Sequence, residues 1–327
     1  MFRKLVLAAA CLAFIVIVVG AYVRLEDAGL GCPDWPGCYG HLVGVPDKAH
    51  EVAKAELSFG QQVDAGRAWK EMFHRYLAGI LGLLIATIAV VAWRRRDPLQ
   101  QSPLLASSLA ALVLFQAALG MWTVTMLLKP VIVTLHLLGG MATLGLLTWL
   151  ALRQLTIDGP GGSAASRLRP WAALGLLIVI CQIALGGWVS TNYAALACVD
   201  FPTCHGEWLP QMDIAHAFQF VRGLGVTAAG APLPYEALTA IHWMHRVGAL
   251  VTVLYVGGLA LAALRWSGLA AQGALLLTVL LLQIGLGVAN VVFSLPLPVA
   301  AAHNGTAALL LVAMVVLNFV LFRKPSQ

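Results

Sequence analysis

Four histidines are the residues of this sequence best placed to do chemistry. His74, His136, His245 and His303 each stand roughly five to eight residues inside an apolar segment. At about 1.5 Å per helical residue, that puts all four roughly 8–12 Å below one surface. An ionisable side chain inside hydrocarbon is costly and marks a functional position by default. One such imidazole reads as an interhelical hydrogen bond to a carbonyl. Four at one depth, two in each half of the chain, read as a constellation. Zinc prefers a compact tetrahedron, often completed by cysteine or carboxylate, and a proton relay usually intersperses Asp or Glu. Pairs of imidazoles on different helices suit the two axial positions of haem iron. The simplest expectation is two haem sites, His74 with His136 and His245 with His303. Gly79, Gly139, Gly140, Gly248 and Gly305 leave room for a flat macrocycle. Arg75 and Arg246 directly follow two of the histidines. A guanidinium there suits a haem propionate, and the alternative is a cation snorkelling to the interface.

The two sites are not alike. Three residues before His74 stands Glu71, whereas three before His245 stands His242. Residues three apart share a helix face, so Glu71 is expected one turn above its histidine. A carboxylate beside one site only implies divided labour: chemistry with a base at one, electron transfer at the other. The plainer alternatives are an interfacial ion pair for Glu71, with Lys70 or Arg75, and an ordinary interfacial histidine for His242. Four cysteines add a second motif: Cys32 and Cys38, then Cys198 and Cys204. In an oxidising compartment each pair can close a small disulfide loop, favoured by the turn-forming Pro33, Pro36 and Pro202. The pairs read either as structural staples or as redox-sensitive dithiols. Cys11 and Cys181 lie in apolar segments and read as packing residues.

The elements that must position these groups repeat. Both cysteines and their flanking glycines recur at an offset of 166, Gln116 to Gly120 recurs as Gln283 to Gly287 at 167, and His136 recurs as His303 at 167. A steady offset over so long a stretch identifies a duplicated four-helix unit, and an even number of crossings makes the repeats parallel. The related Gln-x-x-Leu-Gly at Gln182 to Gly186 reads as helix packing through a small residue. Eight apolar segments are expected, roughly 4–23, 70–93, 103–126, 130–152, 170–192, 237–264, 267–292 and 298–321. The chain is 60% hydrophobic and 10% charged, with mean hydropathy +0.86. A soluble domain carries about a quarter charged residues, and runs of about 20 apolar residues cross a bilayer. The fold class is therefore an all-α polytopic membrane protein, eight spans in two tandem pseudo-symmetric four-helix bundles, 1–155 and 156–327. Arg3 and Lys4 precede a long apolar run without a convincing cleavage site, so the first segment reads as a retained span. One side collects 11 basic and 2 acidic residues and the other 9 basic and 12 acidic. Basic short loops are cytoplasmic, which puts both termini inside and the two long loops in the periplasm. The net charge of +6 is thus a topology signal and does not point to nucleic acid.

Taken together, Glu71-x-x-His74-Arg75, His136, His245-Arg246, His303 and the paired-cysteine loops resemble the haem A synthase family, CtaA/Cox15, over nearly the whole chain. The stretch Gly29 to Cys38 after Val23-Arg24-Leu25 resembles it too. That resemblance implies oxidation of the C8 methyl of haem O to a formyl group by successive hydroxylations, giving haem A. It implies haem O between His74 and His136, haem B on His245 and His303, and a catalytic role for Glu71. The implied partners are haem O and haem A, the lipid of a bacterial-type inner membrane, an electron acceptor, a haem O synthase and a homo-oligomeric copy. The equal cysteine spacing in both loops departs from the family, whose members vary there, so a catalytic disulfide does not carry over. The rival functions are a dihaem b-type electron carrier and a parallel-repeat transporter.

Overall fold

The computed structural model describes residues 1–99, 102–155 and 163–323. Asp158 and Lys324, counted for orientation, lie outside them, and so does the stretch 156–162 at the expected boundary between halves. The chain folds as α1 (Phe2–Leu25), α2 (Ala49–Phe59), α3 (Ala65–Arg94), α4 (Arg96–Leu99), α5 (Leu104–Thr125), α6 (Pro130–Leu152), α7 (Ser163–Thr191), α8 (Ile214–Ala217), α9 (Tyr235–Leu264), α10 (Ala270–Val292) and α11 (Leu297–Phe322). Eight of these, all but α2, α4 and α8, are long and apolar enough to cross a membrane. Large apolar side chains such as Leu83, Leu114 and Leu254 stay exposed on the bundle surface, where lipid replaces water as solvent. The chain is an all-α, multi-pass membrane protein, as its composition implies.

Helix α1 packs on α3, α6 and α11, and α7 packs on α9, α11 and α6. Helix α5 lies against α3 and α6, and α10 lies against α9 and α11. The fourth and eighth spans, α6 and α11, also touch, and α11 is the most enclosed of the eight. The tight turns match as well. Non-glycine residues with positive φ occur at Asp27 and Tyr193, Tyr39 and His205, Leu127 and Ser294, and Leu128 and Leu295. Each pair is separated by 166 or 167 positions in the sequence.

Helices α3 and α9 begin at Ala65 and Tyr235, ahead of the apolar starts expected at 70 and 237. Hydropathy marks where a chain enters hydrocarbon, whereas a helix extends until something caps it. The Asp64 carboxylate accepts from the Arg67 amide at 3.0 Å and so caps α3 one turn beyond the apolar stretch. The long connection before it also contains α2, which hydropathy does not reveal.

The tightly packed core lies toward the end of the bundle away from the disulfide loops. Ile85, Ile88, Leu109, Leu147, Leu276, Met314, Leu317 and Leu321 are all fully enclosed there. At the loop end the segments after α1 and α7 adjoin through polar contacts. Arg24 Nη2 donates to the Ser190 carbonyl at 2.8 Å, and the Tyr193 hydroxyl donates to Asp27 Oδ1 at 2.8 Å. The Arg24 guanidinium lies 3.9 Å above the Tyr193 ring. Cys11 and Cys181 correct the packing expectation: both thiols are free and exposed on the bundle surface. A thiol is apolar enough to face lipid without a packing partner.

Candidate functional site

Each of the four histidines meets a glycine on a neighbouring span. A Cβ placed on Gly20 of α1 would come within 2.8 Å of His74 Cε1, and one on Gly120 of α5 within 3.4 Å of His136 Cε1. One on Gly186 of α7 would lie 3.1 Å from His245 Cε1, and one on Gly287 of α10 3.1 Å from His303 Cε1. Glycine at these four places lets an imidazole edge lie flat against a helix backbone. Among the described residues, the helices of each expected pair, α3 with α6 and α9 with α11, do not pack on each other but share two neighbours: α1 and α5 in one half, α7 and α10 in the other. Nδ1 of His74, His136 and His303 is buried with no hydrogen-bond partner. A buried, unsatisfied imidazole nitrogen is costly unless it binds something, and a haem iron is a group it can bind. Among the described residues, no three His, Cys, Asp or Glu side chains cluster as a bare metal ion would require.

The Gln-x-x-Leu-Gly motif does more than pack helices. Gln182 Nε2 lies 3.1 Å from His245 Nδ1 and donates to the His245 carbonyl at 3.0 Å. Gln283 Nε2 lies 3.3 Å from His303 Nε2, whereas Gln116 Nε2 is buried without a partner. Two of the glycines expected to make room for a macrocycle make room for these amides instead. Gly139, one turn past His136, adjoins Gln116, and Gly248, one turn past His245, adjoins Gln182. Helix packing alone, the reading the motif suggests in sequence, leaves these amide contacts out; the signal for them is the glutamine four residues before Gly120, Gly186 and Gly287.

Above the histidines sit the two cysteine loops, closed as disulfides Cys32–Cys38 and Cys198–Cys204 with Cα separations of 4.8 and 4.9 Å. Both loops are wound around an aspartate. Asp34 accepts from the amides of Tyr39 and Gly40, at 2.6 and 2.8 Å. Asp200 accepts from the amides of His205 and Gly206, at 2.7 and 2.9 Å, and from the Thr203 hydroxyl at 2.6 Å. Gly31 lies so close to α3 that a Cβ there would come within 2.6 Å of the Arg67 backbone, which seats the first loop directly on the helix that carries His74.

The residue three before the histidine tethers each loop. Glu71 is buried; its Oε2 accepts from the Cys32 amide at 2.9 Å and its Oε1 from Arg75 at 2.5 Å. His242 Nδ1 takes the matching Cys198 amide at 3.3 Å. The arginines finish the attachment. Arg75 donates to the carbonyls of Asp34, Pro36 and Gly37, and Arg246 to those of Thr203 and Cys198 at 2.7 and 2.9 Å. Sequence reasoning expected propionate contacts from these two side chains. Here Arg75 Nη1 and both terminal nitrogens of Arg246 donate to loop carbonyls, and Arg75 Nη2 to Glu71, because a loop doubled back over a helix end leaves carbonyls that need donors. Arg246 Nε remains buried without a partner.

The profile of the COX15-CtaA family, described as cytochrome oxidase assembly protein, matches residues 3–315. The chain is 45% identical to a heme A synthase of Shewanella oneidensis over 319 residues, covering 96% of this chain and 94% of that one. It is 27% identical to a heme A synthase of Rhizorhabdus wittichii, covering 93% of this chain and 89% of that one. It is 28% identical to a heme A synthase of Caulobacter vibrioides, covering 92% and 90%.

The Asp200 cage makes a pH prediction. The Thr203 hydroxyl, followed by the Gly206 and His205 amides, holds its carboxyl well below the usual carboxylate range. A lowered folded-state pKa stabilises the loop above the unfolded value of about 3.9 and is lost only as pH falls through the folded value. Hydrogen-exchange protection at the His205 and Gly206 amides is therefore expected to persist through mild acid, down to about pH 4. Asp200→Asn should reduce that protection at neutral pH. Loss of protection in the unsubstituted protein already at mildly acidic pH would contradict the cage.

Proposed function

The chain belongs to the COX15-CtaA family of cytochrome oxidase assembly proteins, and on that premise we propose that it is a haem A synthase, a membrane oxidoreductase converting the C8 methyl of haem O to the formyl group of haem A. The observation that carries this reading is the geometry of the histidines: two imidazole pairs, three of their nitrogens buried and unpartnered, with a carboxylate one turn above one pair only.

The two halves, 1–155 and 156–327, are read as one duplicated unit about a two-fold axis. The contacts of Arg24 with Ser190 and of Asp27 with Tyr193 support this, because each joins a residue to its own counterpart 166 positions on. Only groups beside a rotation axis touch their own copies. The basic residues of the short loops at the opposite end support a reading with that end and both termini in the cytoplasm, and the disulfide loops in the periplasm of a bacterial-type inner membrane.

In this reading, His74 and His136 flank the substrate haem O, and His245 and His303 hold a resident haem B. The unpartnered nitrogens and the glycine-lined ring positions fit both groups. Haem B on His245 and His303 supplies reversible one-electron transfer. The protein's own residues do the rest. Glycine contacts fix the plane of each ring. The loops wall the site from the periplasm. Glu71 brings the one carboxylate to the substrate site. Two of its acceptor positions are taken by the Cys32 amide and Arg75, and a carboxylate offers about four. The remaining lone pairs can take a proton from water or stabilise positive charge developing at the methyl carbon. His242 stands at the matching place in the other half, where this reading oxidises no methyl. An electron acceptor, a haem O synthase and a second copy of the chain complete the expected partners.

Three experiments test the reading. Pigment extracted after co-expression with a haem O supply should contain haem A or a hydroxylated intermediate by mass; haem B alone would make the protein an electron carrier. Glu71→Ala should keep its haem yet convert haem O about 10²–10⁴-fold more slowly, with Glu71→Gln separating lost charge from a lost loop anchor; undiminished turnover in both removes Glu71 from the chemistry. His303→Ala should deplete resident haem B, and full haem B content in that variant contradicts the ligand assignment.

A further inference from the structure

Along the α1–α3 seam lies an apolar groove of about 410 Å³, lined by Val19 and Tyr22 of α1 and by Trp69, Lys70 and Phe73 of α3. Val19 and Phe73 are the chain neighbours of Gly20 and His74, the glycine and imidazole that meet across that seam. His74 Nδ1 is buried, whereas Trp69 is 45% and Phe73 54% exposed. The groove is therefore the outer side of the seam that carries His74. Lys70 lies 5.7 Å from the centre of the Tyr22 ring and pairs with Glu26, which puts the charged end of the groove toward the loops.

The other half fills the matching place with protein. The counterpart of Tyr22 is Trp188, 166 positions on. The counterparts of Trp69 and Lys70 are Ala240 and Ile241, at the offset of 171 that relates His74 to His245. Trp188, Ala240 and Ile241 are only 4%, 0% and 1% exposed, and they share one apolar cluster with Ala217 of α8. Helix α8 packs on α9. The Trp188 indole donates to the Ala217 carbonyl at 2.9 Å, and the Phe220 ring lies 5.3 Å from it. In the first half the loop helix goes elsewhere. Ala55 of α2 joins the cluster of Ala68 and Met72, and Trp69 and Phe73 stay bare. One half covers its seam with its own loop, and the other leaves the seam open.

We infer that the α1–α3 groove seats the farnesyl tail of haem O. This rests on the haem reading above and deepens it. Haem O differs from haem B by a hydroxyethylfarnesyl chain in place of a vinyl group, so only the site that takes haem O has a long apolar tail to accommodate. That site belongs to the half with the open groove. The half read as holding tail-less haem B is the one whose matching seam is filled. Lipid is as apolar as a prenyl chain, so what the groove adds is close packing rather than escape from water. The tail takes no part in the bond changes at the methyl. Contacts to it are equal in ground and transition state, and they lower KM without altering kcat. The groove thereby selects the tailed haem over haem B.

The test uses the full-length protein with its resident haem, in phosphatidylcholine bilayer discs. Two constants are read: KM for haem O, and the inhibition constant of added haem B as a tail-less competitor for the same site. Val19→Trp fills the groove, and the double variant Trp69→Ala with Phe73→Ala strips its wall. Each is expected to raise KM about tenfold, the low end of what an apolar pocket discriminates, while the haem B inhibition constant and kcat stay as they were. Damage to the fold or to the histidine pair cannot produce that pattern, because it would weaken both haems together. A shift of both constants by the same factor would overturn the proposal. So would no shift in either, which would mean that the groove seats membrane lipid only. In both of these cases the synthase reading stands as long as the unsubstituted protein converts haem O. An unsubstituted protein that converts none would sink both.

Discussion

The site rests on the absence of a side chain. At Gly20, Gly120, Gly186 and Gly287, an imidazole edge occupies the space a Cβ would need. In lipid there is little hydrophobic force between helices, so close approach depends on small residues and on polar groups that find partners across the interface. Each glycine provides both: a flat place for the ring, and a ring position at which one nitrogen cannot be satisfied by its own helix. Widening any of these contacts by a methyl group moves the histidine, and the geometry of the pair moves with it. The dense core of Ile85, Ile88, Leu147, Met314 and Leu317 lies toward the other end of the bundle.

The loops are part of the same device. Glu71 and His242 sit one turn above the histidines and turn their acceptors to the first cysteine amide of each loop. Arg75 and Arg246 then close over the loop carbonyls. The disulfide, the aspartate cage and the helix end therefore form one unit in each half, and the chemistry of the residue three before the histidine is also the chemistry that holds the loop. The replacement of a carboxylate by an imidazole between halves leaves that architecture intact while changing what the site offers to a substrate. On the proposed reading, a duplicated scaffold would acquire two different sites in this way: the backbone pattern is kept, and the acceptor beneath the loop is exchanged.

Much of this was readable from the chain alone, for reasons that can be named. Runs of apolar residues and the basic bias of one side are sums over many positions, so errors at single residues cancel. The repeat is visible because both copies kept the same offset through the cysteines, the glycines and the histidines. What hydropathy could not show was where a helix ends outside the lipid. The first turn of α3 is held by the Asp64 cap, and α2 carries too few apolar residues to stand out from a polar connection. Cys11 and Cys181 looked like packing residues because they sit in apolar runs, yet such runs face lipid as often as they face protein.

The sequence by itself determined the class of the protein, its eight spans, the matched histidines and the lone carboxylate, because residue type and spacing are enough for these. The tertiary structure decided what each group faces. A transmembrane helix is apolar nearly all round, so it lacks the amphipathic stripe that announces the inward face of a soluble helix. Whether Arg75 meets a ligand or a loop carbonyl, and whether Gln182 packs idly or holds His245, depends on rotation about the helix axis and on the neighbouring helix. Only the packed bundle sets those.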